Sequence, residues 1–162
     1  MILCLMLGFS LSMTAACIDK PTEHRVRAMA LFKADKHDEA LKECDAGLKT
    51  DPKNVALHVI KGKTLFELKR LDDARGAYED ALKYGENRPP SELTEAQLGL
   101  AIIAMRKKDW ATARARFEAL SKANPKDAQA HLNLARICLQ TKDLSCAIKH
   151  GEQAGHIRGR SE

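Results

Sequence analysis

Six histidines and five cysteines are the side chains here best suited to chemistry. Imidazole and thiolate groups ligate borderline metals, and a thiol beside a base can act as a nucleophile. Either role needs close partners. His24, His37, His58, His131, His150 and His156 form no HExxH and no close pair with a cysteine. Glycine-rich phosphate loops and the GxSxG elbow are absent from the sequence. No catalytic residue, metal or cofactor is expected, and no small-molecule substrate. His58 and His131 read instead as large packing residues. Cys44 reads as a buried thiol. Cys138 and Cys146 fall on either side of one turn. In an oxidising compartment they could bridge; a large Cα separation would forbid it.

The elements that position these groups repeat. Ala28, Leu31, His37, Ala40 and Cys44 are matched 34 positions later by Gly62, Leu65, Leu71, Ala74 and Tyr78. Ala101, Ala104, Trp110, Ala113 and Phe117 stand in the same relation to Ala135, Cys138, Leu144, Ala147 and Gly151. A fixed period of this length signals stacked two-helix units. The small residues let two helices approach closely, and a bulky side chain there would overpack the crossing by about 1–3 kcal/mol. Aromatics make up 4 % and charged residues 30 % of the chain, so Ala and Leu must build the core. Turns are expected at Asp35–His37, Lys69–Asp72, Lys108–Asp109 and Lys142–Asp143, with joints at Asp51-Pro52 and Asn124-Pro125. The stretch from Gly85 to Ser91 breaks the period, and Ser91 to Thr94 is expected to cap the helix that follows.

This pattern resembles the tetratricopeptide repeat family. The resemblance implies an all-α fold: an α-solenoid of about four helix-turn-helix units, near 21–54, 55–88, 94–127 and 128–161, within a domain spanning 25–159. The fourth unit departs from the family pattern, with Gly151 in the aromatic place and Gly159 in the proline place. In this family the first helix of each pair lines a concave groove that holds a protein partner. Carried over, the groove comprises Arg25, Met29, Phe32 and Lys33; Val59, Lys63 and Phe66; Leu98, Ile102, Met105 and Arg106; and Leu132, Asn133 and Arg136. Such a face suits a peptide or helix with apolar and acidic residues. Asn133 sits where the family often bonds a peptide backbone. Phe32 and Phe66 could equally stack on one another as core. Met29, Ile60 and Gly99 occupy places where the family's clamp for chaperone C-termini needs polar residues, so that clamp is not expected.

Residues 1–17 carry no charge. The apolar run is short and broken by Ser10, Ser12 and Thr14. It reads as a signal peptide over 1–16, though without a basic start. Ala15-Ala16-Cys17 resembles the lipobox of bacterial lipoproteins, with Thr14 where an aliphatic is usual. That resemblance implies lipidation at Cys17, attachment to a membrane through the lipid, and a periplasmic site at the outer membrane. A tether over 17–24 would lead into the repeats. The other reading is an intracellular or membrane-anchored adaptor or co-chaperone. The net charge of +5 is spread along the chain with no aromatic–basic platform, so no nucleic acid is expected. The favoured function is a non-enzymatic scaffold that helps assemble an envelope complex.

Overall fold

A computed structural model describes residues 20–159. Eight helices follow one another: α1 Lys20–Lys33, α2 His37–Thr50, α3 Val55–Glu67, α4 Leu71–Tyr84, α5 Pro90–Arg106, α6 Trp110–Ala123, α7 Ala128–Gln140 and α8 Leu144–Arg158. They form four antiparallel pairs. The second helix of each pair packs on the first helix of the next, and α1, α3 and α5 also touch side by side. The chain is therefore an all-α solenoid with its odd-numbered helices along one face. Cys17 and the expected signal lie outside the described residues.

Two boundaries differ from expectation. The tether expected over 17–24 overlaps the first unit expected from about 21, and α1 begins at Lys20 and takes in Pro21. The cap was drawn at Ser91, yet α5 begins at Pro90 with Pro89 before it. Proline in a first helical turn gives up an N–H that has no partner there, and its fixed φ suits the helix. The side chains of Asn54, Asp109 and Asp143 cap α3, α6 and α8, accepting from the third following N–H at 3.1 Å in each case. Asp127 caps α7 through Gln129 and Ala130.

Each turn within a pair places one residue in the left-handed region: Asp35 (φ 57°), Lys69 (63°), Lys108 (60°) and Lys142 (60°). A residue with a Cβ pays about 1–2 kcal/mol for that conformation. The four positions are equivalent in the repeat, so the reversal has one geometry throughout.

The core follows the small residues. Ala28, Ala40, Ala74, Ala101 and Ala113 are fully buried, as are Cys44 and Phe117. Tyr78 is wedged between two glycines. A Cβ on Gly62 would stand 2.7 Å from its ring, and one on Gly99 would stand 2.4 Å from it. Burial pushes the Tyr78 hydroxyl above its usual range and the Cys44 thiol up to about 12, so that thiol stays protonated. Ion pairs cross the unit boundaries: Asp45 with Lys61 at 2.7 Å, Asp72 with Lys107, and Arg114 with Asp143 at 3.2 Å.

His58 and His131 are buried, and each ring's Nε2 reaches a joint carbonyl: Pro52 at 2.8 Å and Pro125 at 3.4 Å. Nδ1 of His131 lies 3.1 Å from Nδ1 of His150 on α8. That contact needs one donor and one acceptor, so two imidazolium rings cannot keep it. Desolvation first, then the charges of His131, Lys149 and Arg114, hold His150 below its ordinary value against the opposing pull of Glu118. A lowered histidine pKa means the folded state binds fewer protons than the unfolded one. The contribution is therefore full above the unfolded value of about 6.5 and is lost as pH falls below it. Thermal melts at pH 7.5 and 5.5 should show a drop in midpoint that shrinks in His150→Gln. An equal drop in both proteins would remove His150 as the cause.

Candidate partner-binding groove

The inner face is built from α1, α3, α5 and α7. The register of these helices turns three stretches of it into clefts. At the first end, Arg25, Met29 and Lys33 of α1 and Val59 of α3 line a cleft of about 560 Å³. Phe32, Lys63, Phe66, Leu98 and Ile102 converge in the middle around about 230 Å³. Leu98, Ile102, Met105, Arg106, Asn133 and Arg136 line the far cleft, about 450 Å³. Leu98 and Ile102 belong to both of the last two, which makes the face continuous.

Not every expected residue is equally available. Val59 is 6 % exposed and belongs to the core cluster of Leu65 and Tyr78. Asn133 is also 6 % exposed, so its amide lies at the floor. Leu132 is half-buried and lines none of the three clefts. Phe32 and Phe66 take other partners than each other. Phe32 meets the His37 ring at 5.6 Å, and the Arg106 guanidinium lies 4.7 Å over the Phe66 ring. A guanidinium over an aromatic face is attracted by the ring's electron density and stays a donor at its edges.

The electrostatics divide the face. Lys63 is bound by both carboxylate oxygens of Glu95 at 3.1 Å, and Glu67 lines the same middle cleft. Arg25 and Lys33 line the first cleft, and Arg106 and Arg136 line the far one. The face is thus an apolar trough with cationic ends. Trp110, Val26 and Gln140 also line it and were not anticipated. Trp110 opens α6, an outer helix, and only the approach of α6 to α5 brings its ring over the edge. Val26 could have been found, because it precedes Met29 by one helical turn. A cleft of about 730 Å³ lies away from this face, between Pro125 and Lys126 at the joint and Lys149, Glu152 and His156 on α8.

Cys138 and Cys146 are bonded, S–S 2.00 Å with Cα atoms 5.8 Å apart. Asp143 lies close to both sulfurs, a cluster of metal-type donors. A disulfide, however, offers no thiolate to an ion. Arg114 of the preceding unit reaches the Cys138 sulfur at 3.4 Å and Asp143 at 3.2 Å. The backbone N–H of Cys146, Ser145 and Arg114 together hold the Asp143 carboxyl below the usual range.

Four antiparallel helix pairs in register, with a continuous inner trough, define a protein-interaction scaffold of the α-solenoid class. The tetratricopeptide repeat family model matches residues 25–92 and 98–156, and the chain belongs to that family. No curated protein matches the chain. Among solved structures, MamA from Desulfovibrio magneticus RS-1 aligns with TM-score 0.76 at 17 % identity, over 88 % of this chain and 77 % of that one. BtubC from P. vanneervenii aligns with TM-score 0.79 at 17 % identity, over 88 % and 66 %. PilF of Pseudomonas aeruginosa aligns with TM-score 0.76 at 19 % identity, over 84 % and 60 %. At these identities the likeness is one of fold.

Proposed function

We propose that this chain is an exported, non-enzymatic scaffold that holds an apolar, acidic peptide or helix of a partner protein in its groove during assembly of a cell-envelope complex. The observation that carries the reading is the Arg106–Phe66 stack at 4.7 Å, set between the apolar floors of the two inner clefts. It offers an apolar anchor point and a charged donor within one side chain's reach. The cationic ends supplied by Arg25, Lys33 and Arg136 favour acidic flanks on the same ligand.

Export and attachment by a lipid on Cys17 complete the proposal. The Cys138–Cys146 bond supports it, since disulfides persist in oxidising compartments and are rare in a reducing cytosol. Among the described residues no helix is long and apolar enough to cross a membrane. Expression with the native N-terminus in a Gram-negative host, followed by intact mass, tests this half. A mature chain starting at Cys17 with added acyl mass, absent from Cys17→Ala, is the expected result. A chain still beginning at Met1 overturns export and favours the anchored or intracellular adaptor.

The groove is tested separately, by capture of partners from envelope extract. Phe66→Ala should weaken capture about tenfold, the scale of ~1.4 kcal/mol for one buried aromatic anchor. Arg106→Glu should weaken it further and reverse its response to acidic flanks. If both variants capture the partner as the parent does, the groove is not the binding site.

A further inference from the structure

Among the described residues, no helix covers the outer side of α1 or of α8. Both sides correspond to faces that are buried at the internal junctions. Ile60 of α3 is 3 % exposed where α2 covers it, yet its repeat equivalent on α1, Val26, is 54 % exposed. Leu65 is buried, and its equivalent Leu31 is only half-buried. At the other end, Leu41 of α2 packs against the core of the following unit. Its equivalent on α8, Ile148, is 61 % exposed, and neighbouring Leu144 is 65 % exposed.

The two faces also complement each other residue by residue. At the first junction small Cys44 shares a core with large Ile60; at the second, large Tyr78 sits against Gly99. The α8 residue at that place is Gly151, with open space where a Cβ would stand. Val26, like Ile60 opposite Cys44, is a large residue for that space. The charged pair of the first junction also has a counterpart, although Leu100 and Leu134 take the basic place at the other two. Asp45 pairs with Lys61 across the first junction at 2.7 Å. Their equivalents are Glu152 on α8 and Arg27 on α1, an acid and a base again.

We propose that α8 docks against α1 of a second copy of this chain, reproducing the internal junction head to tail. Val26 enters over Gly151, Ile148 covers Leu31, and Glu152 pairs with Arg27, which turns from its partner within α1, Glu23. A contact between two different faces leaves each copy with one free end, so it builds chains or rings rather than a closed dimer. Val26 also lines the first cleft, so docking would cover that end of the trough and leave the middle and far clefts open.

Disulfide trapping in the full chain, in the host that makes it, tests this. Val26→Cys with Gly151→Cys in one molecule should give, on mild oxidation, a ladder of multiples absent from the parent. Mixing the two single variants should give dimers and nothing longer. Glu152→Lys should lower the trapped yield about tenfold, and Arg27→Glu on the copy facing it should restore it. A dimer from Gly151→Cys alone would mean that α8 meets α8 and would overturn the proposal. So would trapping onto another protein, or no trapped species, in double variants whose circular dichroism matches the parent.

Discussion

Phe117→Ala is expected to lower the free energy of unfolding by about 3–5 kcal/mol, a large share of the ~5–15 kcal/mol typical of a whole domain. Phe117 is fully buried and packs with Leu120, Ala130, Leu134 and Ile137 where α6 meets α7. Truncation leaves a hole shared by Ala101 and Ala104 of its own unit and by Ala130, Leu134 and Ile137 of the next. In a repeat array stability is the sum of weak units and strong junctions, so this loss uncouples α7 and α8 from the rest. Urea titration followed by circular dichroism should show an earlier first transition for the last pair. Tyr78→Phe is the control: it keeps the ring between Gly62 and Gly99 and should move the midpoint little. A cost below about 1 kcal/mol for Phe117→Ala would mean that the junction closes over the gap.

Loss of the Cys138–Cys146 bond is expected to cost about 2–3 kcal/mol, from the entropy regained when a loop of this length is opened in the unfolded chain. The two cysteines are 8 residues apart and tie the end of α7 to the first turn of α8. The effect should be local. α8 carries Gly151 and Gly155, each weaker than Ala in a helix by about 1 kcal/mol, so it relies on that tie and on the Asp143 cap. Melts of the parent with and without reductant should differ by several degrees, while Cys138→Ala/Cys146→Ala should melt low and ignore the reductant. A parent indifferent to reductant would remove the bond from the stability of the last unit.

Helix pairing was legible because small residues 34 apart, Ala28 with Gly62 and Ala101 with Ala135, encode a helix crossing directly. The start of α5 was misplaced because a proline pair reads as a breaker from sequence alone, whereas its effect depends on which turn of the helix it occupies. The groove was legible as a face but not as depths. A period tells which residues share a side. It does not tell that Val59 and Asn133 sink to the floor while Arg106 folds over Phe66, because those outcomes depend on how far neighbouring helices are splayed. The pairing of His131 with His150 was missed for a different reason. Their separation of 19 residues matches no local rule, and only the antiparallel return of α8 on α7 brings them together.

Trp110 is the only tryptophan in the chain, and it sits half-buried at the rim of the far cleft beside Arg106 and Arg136. The molecule therefore carries its own optical reporter. Excitation at the red edge of the absorption band addresses one indole, free of overlap from the two tyrosines. A ligand settling over Met105 and Ile102 would strip water from that ring and shift its emission to the blue. One settling only in the cleft around Met29 and Lys33 would leave the emission unmoved. Occupancy of the two ends of the trough can thus be told apart without a label.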